Sequence, residues 1–253
     1  MTAAPLRGLR VLVTRPAQQA AALCRLIEQA GGEALPLPLL AIVPAADPAA
    51  AAQRLAGADA FDLCIFTSVN AVRHGLGLHA GPWPPLLAAA GAATAEALRD
   101  AGFAGVLAPV RGDGGEGLLA APELQAAAGR RVLIVTGENT LAGLAEGLRA
   151  RGAAVATVAV YRRVPEPADP AQVAQQVGLA QAAVVTSGES LERLCAVVPA
   201  DSRERLLELQ LAVPSRRVAA LARQLGFQRP PLVPARVADA EFVALLQDWR
   251  AGQ

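Results

Sequence analysis

The sequence predicts an α/β protein of two similar lobes, each built on a doubly wound parallel sheet. Short runs of four or five apolar residues without alternation are typical of strands buried on both faces. Each run is followed by a small-residue turn and an Ala/Leu-rich helix pattern, and this alternation favours parallel sheets with right-handed crossovers. The second half of the chain also repeats the first, which predicts two related lobes.

Four strand–helix units stand out along the chain. The first begins at Arg10–Pro16, and its helix pattern closes at Gly31-Gly32. The others begin at Leu63–Ser68, Val132–Thr136 and Ala183–Ser187.

The internal repeat matches segments of the two halves. Thr67-Ser68 corresponds to Thr186-Ser187, and the unit at Arg10 corresponds to the unit at Val132. Gly91–Phe103 corresponds to Ser215–Phe227, and both predict a helix that ends at a C-cap glycine.

Two extended stretches, Leu35–Val43 and Ala154–Val164, break this pattern and lead into proline-containing loops. They suit edge or linker strands better than a central sheet, so we expect them to pair as a two-stranded connection. Lobe one is then 1–36 plus 167–253, the connecting strands are 37–48 and 154–166, and lobe two is 49–153.

The composition excludes several function classes. A net charge of +1 gives no field for nucleic acid or an anionic membrane. Every basic residue is Arg, and without Lys there is no Schiff base and no phosphate-loop lysine. Three distant cysteines, no apolar leader and no spanning segment predict a soluble cytoplasmic protein with reduced thiols.

Two motifs match patterns of dinucleotide or metal sites, but a structural role is favoured for each. Gly112–Gly117 reads GxGxxG with Glu138 about 20 residues on, but Pro122 interrupts the following helix, which favours a flexible loop capping a short helix over a dinucleotide site. His74 and His79 fit no common zinc spacing with Cys64, which favours solvated or satisfied histidines.

Small polar residues occur where strands meet the following helices. In open α/β sheets this is the carboxyl edge, where ligands bind and helix N-termini attract carboxylates. The alternative role for each residue is helix N-capping. Five such corners predict a cleft between the lobes that binds anions, and Tyr161-Arg162-Arg163 would face this cleft. The corners are Thr14-Arg15, Thr67-Ser68, Thr136-Gly137, Thr186-Ser187 and Pro214-Ser215.

A series of segments resembles the uroporphyrinogen-III synthase family, in the family's order and over nearly the whole chain. The segments are Val11–Pro16, Ile65–Val72, Ala90–Ala95, Gly115–Leu119, Arg151–Ala153, Val160–Arg163, Thr186–Leu191 and Val213–Arg216. After Val135 many members carry Gly-x-x-Gly-Arg, whereas this chain has Gly137–Leu141 without the Arg.

The resemblance implies two flavodoxin-like lobes joined by a two-stranded ladder, and a monomer without cofactor or metal. It implies cyclisation of hydroxymethylbilane, a linear tetrapyrrole, to uroporphyrinogen III through a spiro intermediate. The expected partner is hydroxymethylbilane synthase, which would transiently hand over this substrate. Tyr161 is the expected catalytic residue. The expected substrate-binding residues are Thr14, Arg15, Ser68, Asn70, Thr94, Gly137, Ser187, Gly188, Ser215 and Arg216.

Two other classes stay open on the residues alone. One is a non-catalytic two-lobed binding protein for a small anionic metabolite, and the other is a dinucleotide-binding oxidoreductase.

Overall fold

A computed structural model describes residues 4–109, 114–138 and 142–253. The chain divides into two compact units: unit 1 contains Met1–Ala41 and Val164–Gln253, and unit 2 contains Ile42–Arg163. Within the described residues, no helix is long and apolar enough to cross a membrane.

The strands lie in two sheets. They are β1 (Arg10–Val13), β2 (Glu33–Pro36), β3 (Leu40–Pro44), β4 (Leu63–Phe66), β5 (Leu87–Ala89), β6 (Arg131–Gly137), β7 (Ala154–Pro165), β8 (Ala182–Val184) and β9 (Gln210–Ala212). The sheet of unit 1 has the order β2-β1-β8-β9, and the other sheet has the order β3-β7-β6-β4-β5. The pairs β1–β2, β1–β8 and β8–β9 are parallel, as are β6–β7, β4–β6 and β4–β5, so the predicted α/β class with parallel sheets is confirmed.

The helices pack on both faces of each sheet because the strands are apolar on both faces. They are α1 (Ala17–Gln29), α2 (Pro48–Leu55), α3 (Val69–Leu78), α4 (Ala92–Asp100), α5 (Gly114–Leu119), α6 (Pro122–Gln125), α7 (Ala142–Ala150), α8 (Pro170–Leu179), α9 (Gly188–Val197), α10 (Arg203–Leu207), α11 (Arg216–Gln224) and α12 (Asp239–Ala251), with short 3₁₀ turns at Ala58–Ala60 and Ala200–Ser202. In unit 2, α2, α3 and α4 cover one face, and α5, α6 and α7 cover the other.

The internal repeat appears in the topology. If unit 2 is read from β6, its parallel strands follow the same order as those of unit 1, with β6 matching β1, β4 matching β8 and β5 matching β9. The paired helices α4 and α11 also end alike, because Gly102 and Gly226 have φ of 93° and 94° and close them in the left-handed region. The predicted C-cap glycines are therefore confirmed.

The two extended stretches differ from expectation. Leu35 and Pro36 belong to β2, a parallel strand beside β1, and a new strand begins only at Leu40. The ladder breaks there because Pro36 and Pro38 have no N–H to donate.

The stretch from Ala154 to Val164 was expected to pair with the first stretch as an edge or linker strand. The pairing is confirmed, because β3 and β7 are neighbours in the sheet, but the edge position was wrong. β7 has hydrogen-bonded neighbours on both sides, β6 and β3, since no proline interrupts it before Pro165. Towards its end the Ala45 N–H donates to the Val160 carbonyl, and the Glu166 N–H donates to the Leu39 carbonyl. The sequence numbers run in opposite directions, so β3 and the end of β7 are antiparallel. The chain crosses the division between the units within these two strands.

Two predicted motifs lie partly outside the described residues. Of Gly112–Gly117, the part from Gly114 onwards begins the six-residue helix α5, and Pro122 then starts α6. Of Gly137–Leu141, only Gly137 and Glu138 are described.

Candidate active site

The carboxyl edge of the unit 2 sheet carries a cluster around Tyr161, the one tyrosine of the chain. The register of β6 against β7 places Thr136 opposite Ala159 but Gly137 opposite Tyr161, so Val160 is an extra residue in a β-bulge. A bulge of this kind turns the following side chain to the other face of the sheet. Val158, Val160 and Tyr161 consequently all pack in the core beneath α3 and α4.

Gly137 provides the floor beneath the phenol ring. An ideal Cβ on Gly137 would lie 2.5 Å from Cζ of Tyr161, 2.8 Å from Cε2 and 2.9 Å from Oη. The backbone of the neighbouring Glu138 donates its N–H to the Tyr161 carbonyl at 2.8 Å. Glycine is therefore required at 137 for the ring to occupy this corner.

Ser68 contacts the phenol and also caps α3. Its Oγ lies 3.1 Å from Oη of Tyr161 and accepts the Ala71 N–H at 3.1 Å. Because that N–H occupies one lone pair of the Ser68 oxygen, the hydroxyl proton of Ser68 can point to the phenol oxygen. One strand over, the Thr67 hydroxyl donates to the Thr136 hydroxyl at 2.9 Å, joining the ends of β4 and β6.

His74 completes the cluster and was not predicted as a site residue. Its imidazole stacks on the Tyr161 ring with 5.8 Å between ring centroids and 28° between ring planes. Burial, and then the neighbouring Arg73 guanidinium, lowers the pKa of His74 from its usual 6.5. The side chain is half-buried, whereas Tyr161 is only 1% exposed. The available signal was that His74 follows Asn70 by four residues, a spacing that places both side chains on one face of α3.

Two further predicted residues lie in unit 2 near the same sheet edge. Thr94 is buried in the first turn of α4, directly after β5 and the Gly91 cap. Asn70 is half-buried in the first turn of α3. Both therefore lie where a strand meets its following helix, and their roles toward substrate stay predictions.

The predicted residues of unit 1 lie at the carboxyl edge of its own sheet. Ser187 caps α9 and accepts the Ser190 N–H at 3.0 Å, and Ser215 caps α11 and accepts the Val218 N–H at 3.4 Å. Gly188 and Arg216 are the first residues of the helices capped in this way, and Arg216 is exposed. The expected alternative role of Ser68, Ser187 and Ser215 as N-caps is thus confirmed in both units.

Thr14 and Arg15 are engaged within unit 1. The buried Thr14 hydroxyl donates to the Val184 carbonyl at 3.2 Å. Arg15 pairs through Nη1 with Asp239 at 2.7 Å, with side chains only 16% and 20% exposed. Asp239 therefore already balances the Arg15 charge that was expected to attract a carboxylate.

The three cysteines are buried or half-buried. Cys24, Cys64 and Cys195 are free thiols, and burial raises the pKa of each. No three His, Cys, Asp or Glu side chains within the described ranges are grouped so as to hold a metal ion.

Comparisons with known proteins point to one family. Residues 21–240 match a family model described as "Uroporphyrinogen-III synthase HemD". The uroporphyrinogen-III synthases of Salmonella typhimurium strain LT2 and Escherichia coli K12 are each 36% identical over 228 residues, covering 87% of this chain and 93% of theirs.

Solved structures support the fold. A mutant uroporphyrinogen III synthase of the extremely thermophilic bacterium Thermus thermophilus superposes with a TM-score of 0.63 at 22% identity, over 96% of this chain and 98% of that one. The enzyme of Helicobacter pylori 26695 gives 0.61 at 14% identity, over 95% and 99%. With 220 of its residues matched by the family model (21 through 240) and two close relatives along most of its length, the chain belongs to the uroporphyrinogen-III synthase family.

Proposed function

We propose that the chain cyclises hydroxymethylbilane to uroporphyrinogen III, with inversion of the terminal pyrrole ring and loss of water. Membership of the family carries this proposal, and the cluster around Tyr161 supplies a group suited to the first chemical step. The reaction needs one proton donor and a rigid binding surface, and both can be supplied by side chains and backbone of this chain.

The substrate is a polyanion, since each of its four rings carries an acetate and a propionate. Helices α3 and α4 in unit 2, and α9 and α11 in unit 1, begin at the carboxyl edges of the sheets. Each presents first-turn N–H groups and the positive end of a helix dipole, which favour bound carboxylates. The exposed Arg216 adds a guanidinium that can pair with a carboxylate through two hydrogen bonds.

The first chemical step is loss of the hydroxyl of the substrate. The pyrrole nitrogen lone pair expels it, and the Tyr161 phenol donates the proton that converts it to water. The Ser68 hydroxyl, whose oxygen is already held by the Ala71 N–H, donates to the phenol oxygen and stabilises the developing phenolate.

The electrophilic azafulvene that remains is attacked by the substituted carbon of the terminal ring. This gives a spiro intermediate, which fragments and recloses with the ring inverted. The proton released when the last ring regains aromaticity returns to Tyr161, so the phenol ends unchanged. Attack by the free carbon would give isomer I from the same cation, so the protein selects isomer III by holding the rings in one geometry.

The isomer composition of the product tests this proposal. We expect purified chain and freshly prepared hydroxymethylbilane to yield uroporphyrinogen III, separated from isomer I by chromatography after oxidation to the porphyrins. Heat-denatured chain is the control and should yield isomer I. Formation of isomer I alone, at the spontaneous rate, would refute the function. Tight binding of the substrate without turnover would instead favour a non-catalytic binding protein.

A further inference from the structure

The Tyr161 phenol is covered in this structure. The residue is 1% exposed, and its ring carries the imidazole of His74 at a centroid distance of 5.8 Å. This distance and the 28° angle between the planes fall in the range of offset-stacked aromatic pairs. The phenol can act on a substrate only after one of its neighbours moves.

The neighbours of the ring differ in how they can move. Gly137 belongs to strand β6, and its backbone approaches so closely that no Cβ fits against the ring. Ser68 is fixed by its capping bond to the Ala71 N–H. Ser68 and His74 are both half-buried, but His74 lies within α3 and has no capping role, so rotation about its side-chain bonds breaks neither a strand nor a cap.

The imidazole also has the size and shape of a ring of the proposed substrate. Imidazole and pyrrole are both planar five-membered aromatic rings that carry an N–H. Burial lowers the pKa of His74, which favours the neutral imidazole, and a pyrrole is also neutral. A pyrrole in its place would stack on the phenol face and lie beside Oη.

We infer that the position over Tyr161 is a subsite for one pyrrole ring of the substrate, and that His74 occupies it until the substrate displaces the imidazole. This inference rests on the proposed function, because it names the ring that replaces the imidazole. His74 is then a residue that sets access to the phenol and takes no part in proton transfer.

The chemical accessibility of Tyr161 tests whether His74 covers the phenol, and this test needs no catalytic turnover. Because the chain has one tyrosine, the absorbance of 3-nitrotyrosine after treatment with tetranitromethane reports on Tyr161 alone, although the same reagent also oxidises free cysteines. We expect His74→Ala to be nitrated several-fold faster than the wild type, with an unchanged melting temperature as evidence of folding. A monopyrrole with one acetate and one propionate should slow nitration of His74→Ala more than that of the wild type. Equal nitration rates in the two proteins, or no protection by the monopyrrole, would overturn the inference.

Steady-state kinetics supply a second test, because two substitutions of His74 should change KM in opposite directions. His74→Ala removes a stacking partner that the substrate must displace, so its KM should fall by about two- to tenfold. His74→Phe keeps the cover and stacks at least as well, so its KM should rise while kcat changes less. His79→Ala is the matched control, because the His79 ring meets Trp83 edge-on at 5.0 Å and 82° and has no ring contact with Tyr161.

The failures of the two proposals are distinguishable. A rise of KM in both His74 variants would mean that the imidazole binds the substrate directly, and would overturn the displacement. Absence of isomer III from the wild type would refute the function, whereas the nitration of His74→Ala would still decide whether the imidazole covers the phenol.

Discussion

Replacement of Gly137 by Ala tests the packing on which the site depends. The new Cβ would lie 2.5 Å from Cζ of Tyr161 and 2.8 Å from Cε2, whereas ordinary carbon contacts begin near 3.5 Å. The ring can retreat only by displacing its neighbours, because it is 1% exposed and packs in the core beneath α3 and α4. We therefore expect the full cost of overpacking, about 1–3 kcal/mol. The corresponding fall in melting temperature is about 2–12 °C.

The two tryptophans make the assay specific to one unit. Trp83 lies in unit 2 and packs against Phe66 at 5.1 Å, and Trp249 lies in unit 1. In a Trp249→Phe background, fluorescence during urea denaturation reports unit 2 alone. Gly77→Ala is the control substitution in unit 2, because Gly77 lies in α3 and a Cβ there would meet nothing within 4 Å. That change should stabilise the unit by up to about 1 kcal/mol, since alanine is the better helix former.

A double-mutant cycle separates the clash from other effects of an alanine at 137. Tyr161→Ala removes the ring and should itself cost about 3–5 kcal/mol. Gly137→Ala added to it should then cost almost nothing, so the two single changes sum to about 1–3 kcal/mol more than the double variant loses. Additive costs, or a Gly137→Ala variant as stable as the wild type, would refute the contact between Gly137 and the phenol.

Three further predictions concern single side chains. Ser68→Ala and Ser187→Ala each remove one N-cap and should each lower the free energy of unfolding by about 1 kcal/mol. Ser68→Ala should slow isomer III formation more, because Ser68 is hydrogen-bonded to the phenol whereas Ser187 caps a helix of unit 1. Equal effects of the two substitutions on turnover would contradict this. Arg216→Ala should raise KM for hydroxymethylbilane more than it lowers kcat, and the reverse pattern in steady-state kinetics would exclude a role in substrate binding. The folded chain lowers the pKa of His74, so the stability from its neutral form is complete above the unfolded value near 6.5 and is lost as pH falls through the lower folded value. Melting temperatures measured from pH 7.5 to 5 should consequently fall less for His74→Phe than for the wild type or the His79→Phe control, and parallel curves would contradict the burial of His74.

Much of the fold follows from local sequence patterns. The apolar runs of β4 and β6 are buried on both faces, so they could be identified without knowledge of their neighbours. The N-caps at Ser68, Ser187 and Ser215 were also readable, because capping is decided within four residues. Proline accounts for what was misplaced around Leu35–Val43, where Pro36 and Pro38 end one strand before the next begins.

The site itself depends on contacts between distant parts of the chain. Gly137 and Tyr161 meet through a bulge of one residue, and without Val160 as an extra residue the phenol would point to the other face of the sheet. The run Val158–Tyr161 is apolar throughout, so no alternation in the sequence reveals this inversion. His74 reaches the phenol only because β4 and β7 both flank β6, which is a property of the strand order.

The turnover of Tyr161→Phe tests the central claim most directly. The change removes the phenolic proton and keeps the ring that packs on Gly137 and His74, so the fold should be preserved. At saturating hydroxymethylbilane, we predict that isomer III forms 10²–10⁴-fold more slowly, roughly the range that a positioned proton donor contributes. Turnover equal to that of the wild type would contradict the assignment of Tyr161 as the proton donor.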